Sequence, residues 1–246
     1  MIVNINEIKD QTTQDKILDF EKRGGSFQIG VYQIEKNNEG FIPTDEYYLH
    51  LIVARQTLDK LNYDMNFHWN RCIGKNGRSR FPVMTTDYDK LDSSGEKIDL
   101  EIFLGTHFDF SQHKPLIRGK LSNETRNLYF HPDAIETVEN GVQLQQSPEQ
   151  IKFIKRHPNT PDGFVYSFLH APYGGRFGTT IKEVGDYLLD FMNYFLGPLN
   201  ELQIYAWSTD CSPYFDSGKE WWGCFFWTVY NPSKQWYVGL IASETD

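Results

Sequence analysis

Cysteine is scarce in this sequence, which contains only Cys72, Cys211 and Cys224 among 246 residues. An odd number of widely spaced cysteines does not make a disulfide framework, and the absence of CxxC and HExxH patterns argues against a zinc site. The first ten residues, MIVNINEIKD, lack the basic and apolar regions of a signal peptide, and no run of about 18 apolar residues marks a membrane span. We therefore expect a cytoplasmic protein with no disulfide, no metal and no membrane contact.

Motifs that mark a catalytic nucleophile or a phosphate-binding loop are also missing. The sequence has no GxSxG, and the glycine-rich segment 174–178 matches neither GxGxxG nor the P-loop pattern. Because this segment precedes a helix, Arg176 and the amides at 178–180 could hold an anion, but a tight turn is the favoured interpretation. We predict no catalytic residue and no cofactor.

Nothing in the sequence divides the chain into separate parts. It has no internal repeat, no low-complexity tract and no linker rich in Pro, Gly or Ser, so we predict a single domain over 1–246. Aromatic residues make up 15% of the sequence, which is enough to build a sizeable core. The predicted fold class is α+β, with a mixed or mainly antiparallel sheet, helices packed on it and an aromatic hairpin at the C-terminus.

Local patterns predict the elements of the first two thirds of the chain. Thr13 is a helix-capping residue type, and Gly24 supplies the backbone freedom that ends a helix. The segment EYYLHLIVAR is ambiguous, and its β-branched and aromatic residues favour a strand. Ser147 and Gln150 have the spacing of a capping box. The predicted elements are a helix over 13–23, a strand over 26–34, a strand over 46–55, a helix over 57–66, a loop over 70–96, a strand or strand pair over 97–110 and a helix from 147 to 156.

The C-terminal third carries the clearest patterns. Thr180 and Glu183 form a capping box at the start of an amphipathic helix, which Gly197 ends. The segment WWGCFFWTVY is apolar on both faces and therefore predicts a central strand that is buried on both sides. The predicted elements are a strand over 164–170, a helix over 181–196, a strand over 202–208 and a hairpin of strands over 221–230 and 236–242.

Negative charge exceeds positive charge, with 33 acidic against 24 basic residues and a formal net charge of -9. A field of this sign disfavours nucleic-acid binding and favours a basic protein partner. Aromatic residues flanked by acids are typical anchors of protein–protein contacts, and solvated loops with a buried aromatic core are the competing interpretation. The predicted partner-binding residues are Asp87, Asp89, Asp92, Glu96, Asp210, Tyr214, Phe215, Asp216, Glu220 and Trp221.

The segment from His107 to His113 is the best catalytic candidate. On a continuous strand His107, Asp109, Ser111 and His113 would share one face, and a His–Asp pair can act as an oriented base or hold a metal. If His107, Asp109 and His113 converge in one pocket, the protein would be a small hydrolase or transferase. The competing and favoured interpretation is a strand edge whose polar side chains lie in water.

The C-terminal sequence WWGCFFWTVYNPSKQWYVGLIASETD resembles immunity proteins of bacterial polymorphic and type VI secretion toxin systems. The similarity is to an α+β group with conspicuous tryptophans, paired with nuclease toxins of restriction-endonuclease-like fold, and it covers the last quarter of the chain. The resemblance implies a non-enzymatic protein that binds a cognate toxin and blocks it. It assigns no catalytic residue and transfers no contact residue to this chain. Acids that mimic phosphate groups against a basic cleft agree with this expectation.

Overall fold

The chain mixes helices with mostly short strands. In the computed structural model the described residues are 4–35, 45–71, 83–119, 128–134, 136–138, 142–144, 151–152 and 162–244. Within these ranges the strands are β1 (Asn4–Glu7), β2 (Gln28–Glu35), β3 (Glu96–Lys97), β4 (Phe108–Asp109), β5 (Lys114–Pro115), β6 (Ile117–Arg118), β7 (Tyr129–Phe130), β8 (Glu136–Val138), β9 (Val142–Leu144), β10 (Ile151–Lys152), β11 (Gln203–Ala206), β12 (Cys224–Asn231) and β13 (Trp236–Ser243). The α-helices in the same ranges are α1 (Gln11–Lys22), α2 (Glu46–Arg71), α3 (Tyr88–Asp92), α4 (Leu100–Leu104), α5 (Phe164–Leu169), α6 (Ile181–Phe195) and α7 (Asp216–Lys219).

The chain folds into two units. The first takes the described residues within 1–18, 26–98 and 196–246, and the second takes those within 19–25 and 99–195. Each unit combines helices with antiparallel strand pairs, so the predicted α+β class with a mainly antiparallel sheet is confirmed. One domain over 1–246 stays a prediction.

The first unit is built around an antiparallel sheet whose described strands have the order β1-β2-β13-β12-β11-β3. β12 and β13 form the predicted C-terminal hairpin, with Cα partners running from Cys224↔Ser243 to Asn231↔Trp236. β12 lies between β13 and β11, and its alternating residues Phe226 and Trp227 are buried on opposite faces. The prediction of a central strand that is buried on both sides is therefore confirmed for 224–230, whereas 221–223, which were predicted to begin this strand, belong to the turn before it.

Helix α2 packs against this sheet, at a place where the sequence analysis predicted a strand over 46–55 and a separate helix over 57–66. The strand prediction is wrong because apolar residues recur at helical spacing along the whole segment. Burial of that stripe outweighs the strand preference of the β-branched and aromatic residues around it. The buried cluster includes Leu51, Ala54, Leu58 and Leu61 of α2 together with Phe226 and Ile241 of the sheet.

The backbone of α2 approaches β13 closely at Gly239. A Cβ atom at this glycine would lie 2.0 Å from Thr57 Oγ1. The Thr57 hydroxyl is itself held in place, because it donates a hydrogen bond to the Val53 carbonyl at 2.7 Å. Glycine at position 239 therefore sets the distance between helix and sheet.

A histidine is buried between α2 and the sheet. His50 Nδ1 lies 2.8 Å from Thr228 Oγ1, and its ring contacts Tyr205 and Tyr237 at centroid distances of 4.5 and 5.3 Å. Its Nε2 has no hydrogen-bond partner among the described residues. Burial disfavours the charged imidazolium and lowers the pKa of His50 to about 3, so the ring is neutral at physiological pH.

The second unit packs its helices around aromatic side chains. Phe168 of α5 lies 5.0 Å from Phe20, 4.8 Å from Phe177 and 5.0 Å from Phe191, measured between ring centroids. Phe20 and Phe168 are fully buried and the other two nearly so. Aromatic pairs of this kind add specific edge and face contacts to the burial of apolar area.

Two further strand predictions are wrong. The segment 164–170 forms α5, which ends at Leu169, and the span 97–110 contains α4 with strand pairing only at β3 and β4. α4 ends at Gly105, whose φ is 75°, and a Cβ atom there would lie 2.4 Å from Gly163 N, immediately before α5. Gly105 and Gly163 are far apart in the sequence, and their close backbone contact brings the two helices together. The sequence around each glycine does not indicate this contact.

The ends of helices α1 and α6 agree better with the sequence predictions than these strands do. The carboxylate of Asp10 accepts a hydrogen bond from Thr13 N at 3.0 Å, so Asp10 caps α1 and the predicted cap at Thr13 is wrong. The predicted capping box of α6 is confirmed, because Thr180 Oγ1 accepts from Glu183 N at 3.2 Å and the Glu183 carboxylate accepts from Thr180 N at 3.3 Å. Positive φ angles at Gly24 and Gly197 end α1 and α6 as predicted.

The loop predicted over 70–96 is corrected at two places. It contains α3 and the edge strand β3, while 72–82 lie outside the described residues. The helix predicted from 147 to 156 also falls mostly outside them. Its described part, Ile151–Lys152, is the strand β10, which pairs with β7.

We predict that the free energy of unfolding decreases as the pH falls from about 6.5 towards 3. In this range His50 is protonated in the unfolded state but stays neutral in the folded state, because its pKa there is about 3. The His50→Phe variant keeps a ring in the cluster and cannot titrate. Its free energy of unfolding should fall less steeply with decreasing pH, by up to about 1.4 kcal/mol per pH unit. Urea unfolding between pH 7 and pH 4.5 measures both slopes, with the exposed His113→Asn as the control. Equal slopes for wild type and His50→Phe would contradict the assignment.

We also expect Gly239→Ala to destabilise the protein by about 1–3 kcal/mol, the usual cost of overpacking a core. The added methyl group collides with Thr57, so Thr57→Ala should recover part of the loss in the double variant. Urea unfolding of both single variants and the double variant measures the coupling. Strictly additive losses would show that Gly239 and Thr57 do not determine this packing distance.

Candidate functional site

Two acidic segments that are far apart in the sequence meet in the first unit. The Asp87 amide donates to the Cys211 carbonyl at 2.7 Å, which ties the start of α3 to the 3-10 turn Thr209–Cys211. A cavity of about 650 Å³ opens beside this contact. We call the cavity and the charged side chains that line it the carboxylate cleft. These side chains are Asp87, Lys90, Asp210, Asp216 and Lys219.

Short polar residues shape both walls of the carboxylate cleft. Asp87 caps α3 by accepting a hydrogen bond from Lys90 N at 3.2 Å. On the opposite wall Ser208 accepts from Asp210 N at 3.1 Å, and Ser212 accepts from Tyr214 N at 3.3 Å, so each serine caps a 3-10 turn. Asp and Ser suit these positions because their side chains satisfy amides that a short helix leaves free.

The charges of the carboxylate cleft are mixed but predominantly negative. Lys219 Nζ lies 2.6 Å from Asp210 and 3.4 Å from Asp216, and Lys90 Nζ lies 3.4 Å from Asp87. The hydrogen bond from Lys90 N lowers the pKa of Asp87, and the hydrogen bond from Lys219 lowers the pKa of Asp210. Both carboxylates are therefore ionised at neutral pH, and three carboxylates face two ammonium groups.

An exposed tryptophan follows the last helix of this wall. The α7 turn is held by Gly218, whose carbonyl accepts from Trp221 N at 3.4 Å and from Gly223 N at 2.8 Å. A Cβ atom at Gly218 would lie 2.3 Å from Ser243 Oγ, so the turn packs tightly against the end of β13. The Trp221 side chain remains 66% exposed, and Glu220 beside it is also exposed. A large exposed ring among acids is the arrangement predicted for a contact anchor.

The other predicted acids do not line the carboxylate cleft and have three different environments. Asp89 is exposed on α3 close to the carboxylate cleft, and Glu96 is exposed on β3, where its backbone pairs with Ala206 at the edge of the sheet. Asp92 is engaged by Arg55, whose Nε donates to Oδ1 at 2.8 Å. Asp92 is therefore a less accessible charge than the other two.

Two of the predicted aromatic anchors lie wholly or partly in the core. Phe215 is fully buried in the core cluster, with its ring 6.0 Å from that of Phe226, so its prediction as an exposed anchor is wrong. Tyr214 is half-buried, and burial raises the pKa of its hydroxyl. The 3-10 turn Pro213–Phe215 directs these rings inward, which the mixture of turn and aromatic residues did not reveal.

The site also contains an exposed ring and a pair of lysines that were not predicted from the sequence. Tyr88 on α3 is 46% exposed, its hydroxyl donates to Asp59 at 2.9 Å, and Arg55 lies 5.6 Å from its ring centroid. Lys90 and Lys219 both line the carboxylate cleft, although neither was among the predicted partner-binding residues. The position of Tyr88 immediately after the helix cap Asp87 was the one available signal.

The alternative catalytic cluster does not form as predicted. β4 ends at Asp109, so His107 and His113 do not lie on one continuous strand. His113 adopts a left-handed conformation with φ 51° and is exposed. His107 is buried, and its ring contacts Tyr129 and His170 at centroid distances of 5.2 and 5.0 Å. The prediction of a shared face is wrong because a tight turn follows Asp109.

Asp109 is the acceptor in a different buried network. One carboxylate oxygen accepts from Ser111 N at 3.0 Å and from Ser111 Oγ at 2.7 Å. The other lies 2.9 Å from His131 Nε2. Because the Ser111 hydroxyl bonds to the carboxylate and not to the imidazole, this is no nucleophile–base pair. The network connects the turn after β4 to the chain that follows β7.

The glycine-rich segment before α6 is a turn, as favoured from the sequence. The Glu183 carboxylate accepts from Thr179 N at 2.6 Å and from Thr180 N at 3.3 Å, and so occupies the place where an anion would bind. Arg176 is exposed, and its amide donates to the Arg23 carbonyl at 2.6 Å.

No group of three or more His, Cys, Asp or Glu residues is placed to hold a metal ion within the part of the chain that the structure describes. No helix in that part is both long and apolar enough to cross a membrane. Comparisons of the chain with protein-family models, with curated proteins and with solved structures each give no match.

Proposed function

We propose that the protein is a non-enzymatic immunity protein that binds a basic protein toxin of the nuclease class in the cytoplasm and blocks it. The observation that carries the proposal is the convergence of Asp87 with Asp210 and Asp216 around one cleft, near the exposed Trp221. These residues come from segments more than a hundred positions apart in the chain. The resemblance of the C-terminal hairpin sequence to toxin-neutralising proteins supports the same function.

The proposed mechanism is occlusion. Carboxylates spaced around a cleft can take the place of phosphate groups against the basic surface that a nuclease uses to hold its substrate. Long-range attraction increases the rate of encounter, and burial of Trp221 against the toxin slows dissociation. The lysines already in the cleft reduce this attraction, because each neutralises a carboxylate that the partner would otherwise meet.

We expect opposite charge changes in the carboxylate cleft to have opposite effects on association with the toxin. The Asp210→Asn/Asp216→Asn double variant removes two negative charges and should lower the association rate about tenfold at low salt. Lys219→Gln removes a positive charge and should raise it. Stopped-flow mixing with the purified toxin over a range of ionic strengths measures both effects.

Glu35→Gln is the matched control for these variants. Glu35 is exposed on β2, which lies three strands from β11 in the sheet, and an amide can keep its contact with Asn4. Its association rate should stay within about twofold of wild type, apart from the small effect of net charge. If the three charge variants change the rate equally, or in the same direction, the cleft is not the docking surface.

Trp221→Ala should weaken binding mainly through faster dissociation, by about 30-fold if the ring is a contact hot spot. The matched control is Tyr173→Ala, which removes another ring that is 70% exposed. The toxin is obtained by capture on the immobilised chain, identified by mass spectrometry and then produced separately. The decisive measurement is its cleavage of DNA or RNA with one equivalent of wild-type or variant protein. A captured protein that is acidic, or whose activity the wild type leaves unchanged, would refute the proposal.

A further inference from the structure

A cavity of about 600 Å³ lies within the second unit, beside α5 and the adjacent ends of β6 and β7. Its volume falls within the range of about 300–1,000 Å³ that is usual for small-molecule sites. We call it the histidine cavity. The lining side chains that bear on its chemistry are His107, Arg118, Tyr129, Tyr166, Leu169 and His170.

Four aromatic rings form a continuous part of this lining. The ring of His107 lies 5.2 Å from Tyr129, 5.3 Å from Tyr166 and 5.0 Å from His170, measured between centroids. The interplanar angles of these pairs lie between 50° and 73°, so the cluster presents both ring edges and ring faces. Such surfaces bind planar ring systems through stacking and edge contacts.

The electrostatics of the histidine cavity favour an anion. Arg118 is the formally charged side chain among its described lining residues. Burial is the main reason why the pKa of His170 falls to about 3, and His107 and Arg118 lower it further. The His170 imidazole therefore adds no positive charge at neutral pH. The carboxylate of Asp162 acts on His170 in the opposite sense but does not belong to the described lining.

Hydrogen-bonding capacity is also present in the lining. His170 Nε2 is buried and has no hydrogen-bond partner among the described residues. A guanidinium carries five N–H donors, so Arg118 can give two to an anion and keep others for contacts within the protein. Gly174, with φ 72°, leaves open space at the cavity, because a Cβ atom there would have no neighbour within 4 Å.

We propose that the histidine cavity is a binding site for a small planar aromatic molecule that carries one carboxylate or phosphate group. The ring of the ligand packs against Tyr129 and Tyr166, and its anionic group pairs with the Arg118 guanidinium. A cationic ligand is disfavoured by that same guanidinium, and an aliphatic anion would leave the ring cluster without a matching surface. This site is independent of the carboxylate cleft, which takes a protein partner of opposite charge.

The test is to titrate the protein with small-molecule probes and to monitor the NMR signals of the imidazole ring protons. The chain has seven histidines, so these signals form only seven sets. The probes are 4-hydroxybenzoate and adenosine monophosphate, which distinguish a carboxylate ligand from a phosphate ligand. Benzyl alcohol supplies a ring without a charge, and cyclohexanecarboxylate supplies a charge without a planar ring. We expect at least one of the first two probes to bind below about 1 mM and to shift the signals of His107 and His170 while leaving His50 unchanged. We expect the two incomplete probes to bind at least about tenfold more weakly.

Variants locate the interaction. Arg118→Gln should weaken the tighter probe by about tenfold or more, and Arg118→Lys by less, because lysine lacks the planar pair of donors. Tyr166→Leu removes a stacking surface and should weaken both aromatic probes. The matched control is Arg23→Gln, since Arg23 also lies in the second unit and stacks over an aromatic ring, that of Tyr187 at 4.8 Å.

Each result decides the proposal. It is upheld if a ring with an anionic group binds, the His107 and His170 signals respond, and binding is weakened by Arg118→Gln but not by Arg23→Gln. It is overturned if neither aromatic anion binds below about 1 mM, if benzyl alcohol or cyclohexanecarboxylate binds as tightly as the better aromatic anion, or if Arg23→Gln has the same effect as Arg118→Gln. A circular dichroism spectrum of each variant verifies that it is folded, so that a loss of binding reports on the site.

Discussion

The burial of one side of α2 against the C-terminal hairpin is the contact on which the first unit depends. Four apolar residues of α2 share a cluster with Phe226 and Ile241, and Gly239 lets the helix come close enough to fill it. Burial of apolar surface is the dominant favourable contribution to the free energy of folding. The same interface encloses His50, so the packing that stabilises the unit also imposes an uncharged imidazole.

The carboxylate cleft is a consequence of that core. Leu91 of α3 and Cys211 on the opposite wall belong to the same buried cluster as α2, so both walls are anchored to one body of apolar side chains. The hydrogen bond between the Asp87 amide and the Cys211 carbonyl fixes their register. The backbone positions of the charged residues on these walls are thereby fixed relative to each other, which is a form of preorganisation that would favour the proposed binding of a basic partner. Trp221 is held exposed by the same tight turn that carries Asp216.

The carboxylate cleft and the histidine cavity differ in chemistry. The carboxylate cleft is lined by carboxylates, ammonium groups and small hydroxyl side chains, and it suits polar contacts with another protein. The histidine cavity is lined by rings and one guanidinium, and it suits a small molecule. The three residues of the predicted catalytic cluster have three different environments. His107 lines the histidine cavity, Asp109 binds Ser111 and His131, and His113 is exposed. Their closeness in the sequence did not translate into a shared site.

The sequence by itself determined the features that depend on neighbouring residues. The capping box of α6, the glycines that end α1 and α6, and the C-terminal hairpin with its doubly buried strand all follow from local hydrogen bonding and side-chain alternation. Only the tertiary structure decided that 46–55 and 164–170 are helical, because burial against distant residues outweighs weak local preferences. It also decided which acids converge, since Asp87 meets Asp210 through a backbone contact between distant segments, and which rings are buried, since Phe215 enters the core while Trp221 remains exposed. Charge and aromatic content are properties of the sequence, but their arrangement into a surface depends on packing between residues that are far apart in the chain.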